Sequence, residues 1–403
     1  MKTKNIWVDL SILSLCIVAF LGFILRSKIL FSLPWINYLY FLDVHSHFAF
    51  EGWVTLALLF LFVHELLPEP FSKRPVYQWL FGGIVLSSFG ILLTMPFNNK
   101  SFLASFFSFL FILISYVFGW MFLKDVQKTP VNKTVRLLSV SAIVSLILSS
   151  AGPITLVWLQ VTKSIHATLY RDALYGYLHL QYNGFFTLAV FALLFHKLYP
   201  KISKKEQKNF YWFSVLICIS IFPSLFLSFL WQDPNNFFRV IAITGSILIF
   251  MSVAWFIFSA LSVFRFSKLV VSAVRYILFL SAAAFVLKML LQSFTIFPLV
   301  GNAVFGDRPI IIGFLHLVFL GFVSPFILAY YVQKNMLNLQ IKLTRYALII
   351  FIFGIVCNEL TLMLQGLGAM FLKSSNLFSW ILWVISLWLM TGTILVFAAR
   401  VKS

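Results

Sequence analysis

Long apolar stretches alternate with short polar connections along the whole chain. A membrane-spanning helix needs roughly 20 mostly apolar residues, because a bilayer core of about 30 Å is crossed at about 1.5 Å per residue. Twelve stretches meet that length, near 6–25, 38–63, 76–96, 102–123, 136–158, 175–196, 210–230, 238–262, 270–292, 310–332, 345–370 and 379–399. No connection between them is long or polar enough to fold as a separate soluble domain. Residues 1–403 therefore read as one all-α polytopic membrane domain of twelve transmembrane helices.

Composition agrees with the pattern. The chain is 62% hydrophobic and only 10% charged, where a soluble domain carries about 25% charge. That excludes an ordinary soluble enzyme, a disordered chain and a secreted disulfide scaffold. The 30 Lys and Arg exceed the 11 Asp and Glu by enough to leave a net charge of +19. Placing the N-terminus inside puts 20 Lys and Arg on the inner segments and 8 on the outer ones, with Arg275 and Lys288 in or near the ninth stretch. Cytoplasmic loops accumulate such residues. Both termini are thus expected in the cytoplasm, the protein in the inner (cytoplasmic) membrane in contact with lipid, and the charge needs no nucleic-acid partner. The first stretch follows Met-Lys-Thr-Lys as in a signal peptide but lacks a small-residue cleavage site, so it reads as a retained helix. Cys16, Cys218 and Cys357 lie far apart within stretches and read as packing residues.

The second and sixth stretches align at an offset of 132 residues. His47-Phe-Ala-Phe-Glu-Gly-Trp-Val-Thr runs beside His179-Leu-Gln-Tyr-Asn-Gly-Phe-Phe-Thr, and the match continues through His64 and Pro68 beside His196 and Pro200, with 9 of 22 positions identical. A third copy begins at His316, 137 residues further on. Each copy has His, an aromatic three residues later, Gly at the fifth following position (Gly52, Gly184, Gly321), an aromatic at the sixth and Thr or Ser at the eighth. The spacing of four helices each time predicts three pseudo-symmetric four-helix units, near 1–133, 134–268 and 269–403, with the three histidines at one depth below the outer surface. His64 and His196 fall at the inner helix ends, where they suit a capping role.

Ionisable groups inside a bilayer are costly and usually face a cavity or the bundle interior. Neutral imidazole is the common axial ligand of haem iron and also suits copper. His47, His179 and His316 are therefore candidate metal ligands. The absence of Cys-x-x-Cys-His excludes covalent c-type haem attachment. Gly at the fifth position could let a flat macrocycle lie against the helix, with the aromatics as its walls; close helix packing explains the glycines equally well. His45 points nearly opposite to His47 on one helix, as an additional ligand or as a hydrogen-bonding neighbour. His166 reads as a surface residue, and Arg171, Asp172, Asp307 and Arg308, all in the outer segments, are candidate contacts for haem propionates.

Twelve helices, a threefold repeat, cytoplasmic termini and histidines on helices two, six and ten resemble the catalytic subunit of the haem-copper oxidases, a group that includes the nitric oxide reductases. His45-Ser-His47 with Gly52-Trp53 is also similar to the His-x-His…Gly-Phe opening of the NnrS family of haem- and copper-containing membrane proteins, whose length matches better. The resemblance covers the whole chain in topology and only short motifs in sequence. It implies that His47 or His45 matches the low-spin haem ligand, His316 a haem ligand and His179 the helix-six copper ligand. Three features depart from the oxidase pattern: the seventh stretch has no histidine, the tenth has only His316, and Tyr182 follows His179 by three residues rather than four. What the resemblance keeps is a haem b site with copper incomplete, in a redox protein acting on nitric oxide or oxygen, or a non-enzymatic relative that senses or buffers such a gas. The electron donor would be a quinol or a separate protein. The alternative is a cofactor-free transporter built on the intramembrane Glu51, Glu359 and Lys288, although transporters usually show twofold repeats.

Overall fold

Twelve helices in the computed structural model are long and apolar enough to cross a membrane, so the protein is a multi-pass membrane protein. The structure describes residues 2–99, 101–232, 235–264, 272–371 and 375–402, and among these every regular element is a helix. Lys100, Arg265, Lys268 and Lys373, which entered the charge count, lie outside the described residues. The sixth span runs over Ala167–Lys201, eight residues earlier than its apolar part. Its first turns, with Tyr170, Arg171 and Asp172, continue the helix beyond the apolar stretch.

Three spans form the centre. In the second (Tyr38–Leu66), sixth and tenth (Arg308–Gln333) spans, 83%, 78% and 50% of the hydrophobic window is buried, against 28–44% in the other nine. Around them the first span (Ile6–Leu30) packs on the twelfth (Asn376–Val401), which packs on the eleventh (Lys342–Met370). The seventh span (Lys204–Gln232) packs likewise on the eighth (Asn236–Leu261). A helix buried on all sides is expected to be apolar all round, and the run Leu56–Leu61 of the second span, wholly inaccessible, is of that kind.

Each central span changes from α- to π-helix just after its motif histidine. The π segments cover Ala49–Thr55, Leu180–Phe186 and Leu317–Val323. Such segments are rare and concentrate at functional sites. Gly52, Gly184 and Gly321 lie inside them and face the span that precedes each in sequence. A Cβ would meet Ser14 of the first span at 3.4 Å, Ser145 of the fifth at 2.4 Å and Ala284 of the ninth at 3.2 Å, respectively. Gly184 and Gly321 act as close-packing positions, whereas a Cβ at Gly52 would make ordinary contact. The surface on which a macrocycle was expected to rest is thus occupied by a neighbouring helix.

Two contacts join the three central spans. Phe50, Phe186 and Phe319 form a triangle with centroids 5.6, 4.5 and 5.4 Å apart, within the range for favourable aromatic pairs. Toward the end of the bundle that carries the termini, Glu65 Oε2 accepts from Tyr330 at 3.0 Å and pairs with Lys197 at 3.0 Å and Lys334 at 2.7 Å. One carboxylate of the second span thus holds the sixth and tenth. Burial works against the charge of Lys334, which lies just beyond the tenth span, but its hydrogen bond to Glu65 pushes its pKa above the ordinary lysine value. Nearby, Asp9 binds Arg400 at 2.7 Å, and Asp125 accepts from Arg74 and Tyr77.

Because the Glu65 side chain is only 6% exposed, removing it strands two cations. Breaking a buried pair costs about 3–5 kcal/mol, reduced here because each lysine is about a third exposed. Glu65→Ala is expected to lower stability in detergent by about 2–3 kcal/mol in a denaturation series, and a loss below about 0.5 kcal/mol would show that the knot does not hold the centre.

Candidate functional site

The three motif histidines, His47, His179 and His316, have separate partners in the fold. Among the described residues, no group of three His, Cys, Asp or Glu side chains could hold a metal ion. His47 turns toward its own helix, with Nδ1 3.2 Å from Glu51 Oε1. Glu51 is 3% exposed, and its Oε2 has no partner.

His179 is fully buried, and both ring nitrogens are engaged. Nε2–H donates to Ile221 O at 2.9 Å, while Nδ1 accepts from Asn183 at 3.2 Å and Gln292 at 3.3 Å. This leaves no lone pair for a metal, so the copper position expected on the sixth span is filled by a hydrogen-bond network. Lys288 of the ninth span (Val274–Phe294) completes that network. Its ammonium donates to Thr187 Oγ1 at 2.8 Å, Asn183 Oδ1 at 3.0 Å and Tyr182 O at 3.3 Å. Three donors match an ammonium's full capacity. The Tyr182 carbonyl belongs to the π segment and also accepts from Thr187 Oγ1 at 2.6 Å.

His45, not His47, meets His316. Their ring centroids are 6.4 Å apart, with the planes within 22° of parallel. His45 Nδ1–H donates to Val18 O at 3.1 Å, and His316 Nδ1–H donates to Ile312 O at 2.8 Å. That leaves both Nε2 atoms as free lone pairs, and both residues line one cavity. Gly22 of the first span makes room for the arrangement, since a Cβ there would lie 3.2 Å from His45 Cε1. Further walls come from Phe50, Trp53 and Phe319, with Arg26 and Tyr38 at one side. Trp53 Nε1 is fixed by Ser324 Oγ at 2.8 Å, and Arg308 sits 4.8 Å over the Tyr38 ring.

The other expected contacts go elsewhere. Arg171 lies 4.3 Å over Trp231, and Asp172 accepts from Trp231 and Gln232, so both are spent on the seventh span. Asp307 stands at the N-cap of the tenth span without a side-chain cap bond. His166 stands exposed at the N-cap of the sixth. The aromatics three residues after the histidines divide. Phe50 and Phe319 enter the central triangle and also line the His45 cavity, whereas Tyr182 packs edge-on against Phe314 at 5.5 Å beside a second cavity.

Sequence reasoning missed Gly22, Arg26 and Gln292. Arg26, a cation at the end of an apolar run, and the Lys288–Gln292 pair, four residues apart on one helix face, were the available signals. No protein-family model matches the chain, and no curated protein matches it in sequence. His179→Ala is expected to cost about 3 kcal/mol by opening a void and stranding two amides, with no change in bound metal. Loss of metal together with an unchanged denaturation midpoint would contradict this placement.

Proposed function

We propose that the chain is a haem-binding protein of the inner (cytoplasmic) membrane with a redox, nitric-oxide- or oxygen-related role, its b-type haem held by His45 on the second span and His316 on the tenth. One observation carries this reading: two near-parallel imidazoles on different spans, each with Nδ1 tied to a backbone carbonyl and Nε2 unbonded, both residues lining one cavity. Metal–imidazole bonds are about 2.0–2.1 Å, so two rings sharing one metal stand roughly 6 Å apart between centroids. The observed centroid separation of 6.4 Å is close to that spacing. A carbonyl on Nδ1 is also the usual outer partner of a ligating histidine, fixing its tautomer and raising its basicity.

Bound there, a haem held by His45 and His316 would supply one-electron redox chemistry. The chain's own residues prepare the place. Val18 and Ile312 hold the tautomers, Gly22 admits the His45 ring, and Phe50, Trp53 and Phe319 exclude water. Arg26 and Arg308 supply charge for propionates. In this reading the π segments, each starting one or two residues after its histidine, mark three related four-helix units. The termini are cytoplasmic, and a quinol or a separate protein delivers electrons. A relationship to the haem-copper oxidases and NnrS proteins would then rest on the low-spin haem site alone.

The cofactor-free transporter has weaker support. Among the described residues, no ion pair joins Lys288 to Glu51 or Glu359, and the donors of Lys288 are spent on the sixth span.

A reduced-minus-oxidised spectrum of the purified protein, with haem extraction, tests the proposal. The expected result is a low-spin Soret band lost in His45→Ala and His316→Ala and kept in His47→Ala. A protein without haem sinks it, as does a spectrum that depends on His47 and ignores His45.

A further inference from the structure

A larger cavity, of about 350 Å³, lies between the sixth, ninth, tenth and eleventh spans. It is of the size that accepts small molecules, about 300–1,000 Å³. Its walls are almost wholly aliphatic and aromatic. Leu287 and Leu291 of the ninth span and Leu360, Met363 and Leu367 of the eleventh stand in that wall and are 39–51% exposed. Exposed apolar side chains on a membrane span face lipid. The cavity is therefore bordered by the bilayer, and a lipophilic molecule reaches it without passing through water.

Hydrogen bonding in the wall does not select the ligand, because the hydroxyls of Tyr175, Tyr182, Ser228 and Thr295 can both donate and accept. Charge does. Glu359 lines the cavity, and its Oε1 accepts from Asn358 Nδ2 at 3.0 Å. Among the described residues no Lys, Arg or His lines the cavity, and none pairs with Glu359. Lys288 lies 5.7 Å from the Tyr182 ring centroid, but it is wholly buried and its three donors are spent on the sixth span. A carboxylate within a membrane is costly, and such groups mark ion pathways and ligand counter-ions. A fatty acid would bring like charge to Glu359, and a neutral alcohol would leave the carboxylate without a counter-charge. A lipophilic ammonium meets both requirements. We infer that this cavity takes a lipophilic primary amine from the bilayer, its ammonium against the Glu359 carboxylate and its alkyl chain along the aliphatic wall. The edge-on pair of Tyr182 and Phe314 adds aromatic surface that favours a cation. Binding here goes beyond the haem reading and does not require it.

Calorimetric titration of the full chain in detergent at pH 7 tests this with three probes of one chain length: decylamine, decanol and decanoic acid. The unaltered protein is expected to bind decylamine roughly tenfold or more tightly than decanoic acid. Glu359→Gln keeps the side chain's volume and removes its charge. It should weaken decylamine roughly tenfold or more and leave decanol unchanged. Each probe partitions into detergent equally in the two titrations, so the ratio between the proteins reports the cavity alone. The comparison of amine with acid on the unaltered protein needs no variant, so it decides the matter even if Glu359→Gln fails to fold. No binding of decylamine, acid binding as tight as amine, or a decylamine affinity indifferent to Glu359→Gln would overturn the inference; equal binding of all three probes would make the cavity a space for acyl chains.

Discussion

A bilayer supplies no water to its interior, so every backbone N–H and C=O within a span must find a partner in the protein. The three central spans meet that constraint in an unusual way. Each inserts a π segment, which adds a residue to the turn and changes which side chains face which neighbours. At Tyr182 the carbonyl of the segment is bound by Thr187 Oγ1 and by the ammonium of Lys288. A buried lysine with no carboxylate beside it would ordinarily be a large expense in hydrocarbon. Here the positive charge answers carbonyl, amide and hydroxyl oxygens that the π turn presents together. The packing at Gly184, where the fifth span comes too close for a Cβ, lies in the same segment.

That constraint explains why the number of spans was legible in the sequence and the pairing of the histidines was not. Span number follows from apolar length alone, and the twelve helices appear where the pattern puts them. The spacing of the motif also marks a real structural feature, since all three copies carry the π segment. Side-chain direction is different. The repeat alignment marks His47 as the common histidine, and His45 as an additional ligand or a hydrogen-bonding neighbour. In the structure His47 faces Glu51 one turn along its own helix, and His45 reaches across to His316. The alignment identified the repeated residue, while the geometry favours the unrepeated one. His179 shows the same point from the other side: it has the expected position, but Ile221, Asn183 and Gln292, remote or inconspicuous in sequence, use its nitrogens.

The repeat therefore describes packing better than chemistry. Glycine at the fifth position faces the preceding span three times, with room for a Cβ at Gly52, little at Gly321 and none at Gly184. The aromatics serve mainly to close the centre, as the Phe50–Phe186–Phe319 triangle shows, with Phe186 standing outside the repeated spacing. The three histidines, by contrast, occupy three environments: a carboxylate partner, a saturated hydrogen-bond network and an open cavity. Identical motif residues diverge in this way because their partners differ: Glu51 for His47 and Ile312 O for His316, each on its own helix, and Ile221 O of the seventh span for His179. His45 takes its carbonyl from the first span and His179 from the seventh.

Divergence of this kind also bears on the two cavities. Residues two before the motif histidines are His45, Tyr177 and Phe314. The first lines the smaller cavity, the third lines the larger, and Tyr177 stacks on Phe50 at 5.6 Å between the second and sixth spans. At this register only one unit offers a ligating side chain; the others offer aromatic rings. His316 can therefore find its imidazole partner only on the second span, and the larger cavity, with Phe314 in its wall, lacks any nitrogen base with a free lone pair. Its polar lining consists of amide, carboxyl and hydroxyl groups, from Gln292, Glu359, Tyr175, Tyr182, Ser228 and Thr295, and that difference in chemistry separates the two cavities.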